Sequence, residues 1–163
     1  MKKSTTQHNE IKSWKWNFAA GFIPFMAGWT MFITSMMSKS NPDSTWDLVI
    51  AKLDFSYNDM INVSEDSGDF LDLISALSSV NIIIGAFSII MISRFALRDG
   101  HKWAWWYMLV ALIWLGFQDA YSVFRFFTET GVPFFIFPFM FCILMAIGLV
   151  LTRKEMFKSE KVL

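Results

Sequence analysis

The chain alternates between long apolar stretches and shorter polar ones. Four of the apolar stretches are long enough to cross a bilayer core of about 30 Å, which takes roughly 20 residues of helix. They cover residues 17–37, 71–97, 103–127 and 132–152. Backbone amides in lipid must be hydrogen-bonded within the protein, and none of these stretches alternates with a period of two, so we expect helices. The sequence predicts an all-α membrane protein: a single bundle of four transmembrane helices.

The composition argues against a soluble domain. Of the 163 residues, 55% are hydrophobic and only 17% are charged, which is more apolar surface than one soluble core of this size can bury. Lys plus Arg equals Asp plus Glu at 14 each, so the net charge gives no reason to expect a nucleic-acid partner. The first apolar stretch is longer than the roughly 7 to 15 residues of a signal peptide, and we expect it to remain as an anchor.

Basic residues are concentrated at one end of the predicted bundle. Eleven of the 14 Lys and Arg residues lie before the first span, around the turn between the second and third, or after the fourth. The connection 38–70 instead holds two lysines and seven acidic residues. Because basic loops stay in the cytoplasm, we expect both tails, 1–16 and 153–163, to be cytoplasmic and the connection 38–70 to lie outside.

The turn between spans two and three is rich in basic and aromatic residues. Its sequence, RDGHKWAWWY over residues 98–107, resembles the basic, glycine-containing turn followed by a Trp-Ala-Trp run in small, uncharacterised bacterial proteins with four predicted spans. The likeness covers this turn and the layout of the spans. It implies a multi-pass protein of the bacterial inner membrane, and it brings no assigned activity.

The outer connection contains one amphipathic segment. Apolar residues recur at helical spacing over residues 44–57. We expect a short helix that either covers a pocket at the outer end of the bundle or lies on the lipid headgroups, since the pattern fits both. The acidic stretch 64–70 is interpreted as a solvated linker before span two.

Polar residues interrupt the outer half of the third span. At about 100° per residue, one arc of this helix carries polar side chains and the opposite arc carries apolar ones. The polar set is Gln118, Asp119, Tyr121, Ser122 and Arg125. Polar groups in membrane helices usually face protein or water, so we expect this arc to point into the bundle or its edge and to bind a ligand.

Three further expectations concern individual polar side chains of spans two and three. Asp119 follows Trp103 by 16 residues, roughly 24 Å along the axis, which places it in the outer leaflet. Asp119 can have a functional role or can be a structural hydrogen-bond partner, and the sequence leaves both possibilities open. Asn81 lies near the midplane, where we expect a hydrogen bond to another helix and add it to the candidate ligand-binding set. We expect Asp72 to be a solvated residue at the start of the second helix.

The sequence lacks the motifs of known catalytic chemistry. It has no Walker loop, no dinucleotide glycine motif and no nucleophile elbow. The single Cys142 and the two histidines do not have the spacing of a metal site. We therefore expect no metal and no cofactor.

Three function classes remain. The leading hypothesis is a non-enzymatic membrane protein that binds lipids or a small apolar ligand, or supports a membrane-protein partner, with a homo-oligomer left open. The alternative is an intramembrane enzyme acting on a lipid or sterol-like substrate, with Asp119 as catalytic acid or base and Tyr121 or Asn81 orienting the substrate. The third is a small proton-coupled transporter, for which the expected inverted repeats are not visible.

Overall fold

The computed structural model describes residues 10–37, 62–131 and 133–158. Its α-helices are α1 (Trp14–Met37), α2 (Glu65–Ile92), α3 (Lys102–Ala111), α4 (Gln118–Thr130) and α5 (Ile136–Lys158). Two π-helical segments continue them: π1 (Ser93–Leu97) extends α2, and π2 (Leu112–Phe117) joins α3 to α4.

These elements form four helices long and apolar enough to cross a membrane, the third being α3, π2 and α4 together. The predicted all-α bundle of four membrane helices is confirmed. The amphipathic segment 44–57 lies outside the described residues.

Two helix boundaries differ from the expected ones. Helix α2 begins at Glu65, so part of the acidic stretch taken for a linker is helical, but its apolar, membrane-spanning part begins at Asp72, next to the predicted residue 71. Ser64 is its N-cap. The fourth span begins at Ile136 instead of residue 132, because the chain turns at 134 and 135, and it continues six residues past 152.

Both short connections contain a left-handed glycine. At Gly100, φ is 78°, and the amides of Gly100 and His101 bond back to Leu97 and Ala96, which closes the preceding helix. At Gly131, φ is 71°, and its amide bonds to the carbonyl of Phe127 at 2.7 Å. These turns make α2, the third span and α5 successively antiparallel, and α1 is antiparallel to α2 because Gly21 lies against Ile90 and Gly28 against Ile83. Residues 10–14 and 158 therefore lie at one end of the bundle. We call this end the termini end and the opposite one the far end.

Glycines allow α1 to lie close against α2. A Cβ at Gly21 would lie 2.8 Å from Ile90 Cγ1, and one at Gly28 would lie 2.8 Å from Ile83 Cγ1. Both distances are too short for a real side chain. The spacing of seven residues between the two glycines keeps both on the side of α1 that meets α2.

The shared core lies toward the termini end. Its fully buried side chains come from α1, π1, α3, α5 and the adjoining part of α2, and they include Ile89, Leu97, Met108 and Met145. Toward the far end the spans form two pairs. One is α1 with α2, joined by a 2.7 Å hydrogen bond between Ser35 and Ser75. The other is α4 with α5 and the turn before it, where the ring centroids of Phe127 and Phe135 are 4.7 Å apart.

Candidate functional site

The π2 segment determines which way the third span points its polar residues. The buried faces of α3 and α4 are centred on Met108 and Ala120, which would lie about 120° apart on a straight helix. A π turn accommodates one extra residue, equivalent to about 100° of rotation. The insertion therefore brings both faces round to the inside of the bundle. Gly116, within π2, packs directly against Phe141 and Cys142 of α5.

The five polar residues of the third span are consequently exposed. Ala120 is buried against α5, and Gln118, Ser122 and Arg125 lie roughly 140° to 200° from it around the helix, on the outside. The polar arc was expected to face the bundle. This expectation is wrong for Gln118, Ser122 and Arg125, which form the centre of the arc. Asp119, about 100° from Ala120, lies at the edge of the bundle, and Tyr121 lies about 100° to the other side.

Asp119 lies on the side of the third span that faces α2. The two helices touch where a Cβ at Gly85 would be 3.4 Å from Leu115 Cδ1 and, nearer the termini end, where the Ser88 and Tyr107 hydroxyls are 2.6 Å apart. Asp119 is four residues beyond Leu115, and Asn81 is four residues from Gly85, each about one turn nearer the far end. We infer from this register that the two side chains face each other beyond that contact, across a space that we call the α2–α4 cleft.

The cleft leaves both polar side chains without partners. Asn81 and Asp119 are exposed, and within the described part of the chain neither makes a side-chain hydrogen bond or an ion pair. A carboxylate in the centre of a bilayer costs on the order of 3 kcal/mol, and somewhat less toward the headgroups. The expected hydrogen bond from Asn81 to another helix is not formed among these residues. The amide of Asn81 and the carboxylate of Asp119 are therefore available to a bound molecule.

A second hollow lies on the other side of the third span. It is an apolar groove of about 270 Å³ between α4 and α5, lined by Phe117, Ala120, Tyr121, Phe124, Phe139 and Cys142. Ligand sites for small molecules usually exceed roughly 300 Å³ and include a few polar groups. This groove is at the lower limit in volume and is almost entirely apolar, so it suits contact with lipid chains and fits specific recognition less well.

Asp72 differs from its expected surroundings. It was expected to be solvated at a helix start, but it is 6% exposed and lines a hollow of about 360 Å³ with Ser35, Met36, Asp69 and Leu73. Asp72 is buried because α1 packs against α2 at this position. The sequence alone did not predict this contact. Within the described residues, no group of three His, Cys, Asp or Glu side chains is close enough to hold a metal ion.

A polar cluster missed by sequence reasoning connects the two ends of the chain. Thr152 Oγ1 accepts hydrogen bonds from Ser13 Oγ at 3.2 Å and from Asn17 Nδ2 at 3.4 Å, and it donates to the carbonyl of Gly148. Glu155 Oε2 accepts the backbone amide of Lys12 at 2.8 Å. The available signal was the presence of Asn17 and Thr152 near the ends of two apolar spans, where buried polar groups need partners.

Comparison with known proteins adds no family. No family model matches the chain, and neither a curated protein nor a solved structure matches it. The resemblance of the turn 98–107 to small bacterial four-span proteins therefore stays an expectation. The structure itself shows a multi-pass membrane protein with a four-helix bundle fold.

Proposed function

We propose that this protein is a non-enzymatic membrane protein that binds an amphiphilic lipid or small molecule in the α2–α4 cleft. The observation that carries the proposal is the pair of unpartnered polar side chains, Asn81 and Asp119, beside the Gly85–Leu115 contact. A bound molecule with a hydrogen-bond donor would satisfy the carboxylate, while its apolar part lies along the exposed side chains of α2 and α4.

The charge of the cleft favours a particular headgroup. Asp119 supplies acceptor oxygens, and Asn81 supplies both donors and an acceptor. Arg125 lies about 120° round the helix from Asp119, on the outside of the bundle. An acidic cleft repels phosphate, so the ligand we propose carries a hydroxyl or an amine, as a monoacylglycerol does, and lacks a phosphate.

The enzyme alternative has less support. General acid–base catalysis needs a second group within hydrogen-bond reach of the reacting atoms. Tyr121 is two residues from Asp119 and lies about 200° round the helix from it, so it lines the groove on the other side. Asn81 remains as a positioning group, which suits binding as well as catalysis.

The proposal is tested with photoactivatable lipids. A monoacylglycerol and a phosphatidylglycerol, each with a diazirine in the acyl chain, are added to the purified protein, and the labelled residues are mapped by mass spectrometry. We expect the monoacylglycerol to label the walls of the cleft near Asn81 and Leu115. Asp119→Asn should reduce this labelling by at least about tenfold, because hydrogen bonds to a charged group contribute about 1.5–3 kcal/mol.

The control is the neighbouring substitution Gln118→Leu, which lies outside the cleft and should leave the labelling unchanged. Uniform labelling of all exposed apolar residues, including Ile84 and Val110 at 62% exposure each, would contradict the proposal. So would labelling that Asp119→Asn does not alter.

We also propose that the termini end lies in the cytoplasm of a bacterial cell. Exposed basic side chains at this end support the orientation; they are Arg94, Lys102, Arg153 and Lys154. Fusing a reporter that fluoresces only in the cytoplasm to residue 163 tests it. Fluorescence is expected, and a dark, exported fusion would reverse the orientation.

A further inference from the structure

The outside of the third span carries polar groups that face away from the bundle. Trp114 is 67% exposed, and Gln118 is exposed one turn later. Within the described residues, neither side chain makes a hydrogen bond. Ser122, a further turn on, donates its hydroxyl to the carbonyl of Gln118 at 2.9 Å. We call Trp114, Gln118 and Ser122 the outer stripe.

The depth of this stripe makes its exposure to lipid unfavourable. Trp114 follows Trp103 by 11 residues, or roughly 16 Å, which is about the middle of a bilayer core. Tryptophan prefers the headgroup region, where its indole N–H finds an acceptor. Lipid chains offer no acceptor to the indole at this depth, and no partner to the Gln118 carboxamide one turn further into the outer leaflet.

We propose that a second copy of this chain covers the outer stripe in a parallel, two-fold symmetric dimer. A two-fold axis along the membrane normal brings identical residues to the same depth, so each residue meets its own copy and the residues one turn away. A glutamine carboxamide has donors and acceptors and can pair with its own copy. The donor-only indole of Trp114 can then reach the carboxamide oxygen of the other chain's Gln118.

Side-chain size supports this contact surface. Ser122 is small and already bonds to its own backbone, so it allows the two helices to approach closely. Trp114 supplies the large aromatic side chain that interfaces favour. The inference does not depend on the proposed ligand, because the outer stripe and the α2–α4 cleft lie on different sides of the third span.

Disulfide cross-linking in native membranes tests the dimer. Cys142 is the only cysteine and is buried on the side facing α4, so Cys142→Ala gives a cysteine-free background. In this background, Ser122→Cys should cross-link to its own copy under mild oxidation. Phe124→Cys is the matched control: it is exposed and two residues away but lies about 200° round the helix, and it should not cross-link.

A second substitution separates hydrogen bonding from simple apolar contact. Gln118→Leu should reduce the Ser122→Cys cross-link roughly tenfold, because it removes both amide interactions. It should leave ligand labelling in the cleft unchanged, so failure of the dimer and failure of the proposed ligand are distinguishable. Equal cross-linking at 122 and 124, insensitivity to Gln118→Leu, or cross-linking of Ser122→Cys to a different protein would each overturn the proposal.

Discussion

The carboxamide of Asn17 fills the space that a side chain at Gly148 would need. A Cβ built on Gly148 would lie 2.7 Å from the Cγ, Oδ1 and Nδ2 atoms of Asn17, and Asn17 is fully buried. The first and fourth spans are therefore in contact at backbone distance near the termini end. This close approach brings Thr152, one turn after Gly148, within reach of Asn17 and Ser13.

The first prediction concerns this close approach. Gly148→Ala should lower the free energy of unfolding by about 1–3 kcal/mol, because Asn17 is short and buried and has no room to move aside. Gly85→Ala is the control, since its Cβ would meet Leu115 Cδ1 at an ordinary 3.4 Å. Thermal unfolding in detergent measures both. If the two variants are equally stable, α1 and α5 are not in close contact at Gly148.

A second prediction isolates the hydrogen bonds across the helices. Thr152→Val removes the hydroxyl that Ser13 and Asn17 donate to, and it should cost about 0.5–2 kcal/mol of stability. Thr30→Val is a matched control, because the Thr30 hydroxyl bonds only to the carbonyl of Met26 on its own helix. Its stability should change by less than about 0.5 kcal/mol. If both substitutions have the same effect, the cluster does not join the spans.

Glu155 gives a third prediction at the start of α1. Its carboxylate accepts the amides of Lys12 and Ser13, at 2.8 and 3.4 Å, just before the helix begins. Glu155→Leu should speed hydrogen exchange of these two amides by about tenfold, since their acceptor is removed. Glu10→Leu removes only an exposed 3.8 Å ion pair with Arg98 and should leave that exchange unchanged. Exchange measured by mass spectrometry that is insensitive to both would exclude the cap.

The fourth prediction uses the extra residue of π2. Deleting Leu115, which is exposed, should convert π2 to a regular α-helix while leaving Ala120 on the bundle side, so the protein should still fold. Deleting Ile147 from the regular helix α5 should instead rotate Leu149 and Thr152 by about 100° away from their contacts. The yield of folded monomeric or dimeric protein on size-exclusion chromatography distinguishes them. Loss of folding on deleting Leu115 would show that π2 is not a simple one-residue insertion.

Length and hydropathy were sufficient to predict the spans. Each of the four helices contains most of the stretch assigned to it, because an apolar run of 20 or more residues has one stable conformation in lipid. The ends were less accurate. Glu65 begins a helix inside an acidic stretch, and α5 continues through Arg153, Lys154 and Glu155, because polar residues outside the hydrocarbon neither require nor prevent a helix.

The orientation of the candidate site could not be predicted from a regular helical wheel. The wheel places residues correctly within α4, but it cannot foresee the insertion in π2, which turns Gln118 outward and leaves Asp119 at the bundle edge. The register that relates Asn81 to Asp119 depends on the contact between Gly85 and Leu115, and the sequence does not show which spans are neighbours. Likewise, Ser13 and Thr152 are 139 positions apart, beyond any local pattern.

The link between Lys12 and Glu155 also has a consequence for biosynthesis. The two residues are separated by 143 positions, so the first three spans and most of the fourth have been synthesised before the carboxylate exists. Until then the amides of Lys12 and Ser13, at the beginning of the first helix, lack this acceptor. The shared core also lacks the last side chains of α5. A chain interrupted after the third span therefore lacks the acceptor for the amides of Lys12 and Ser13.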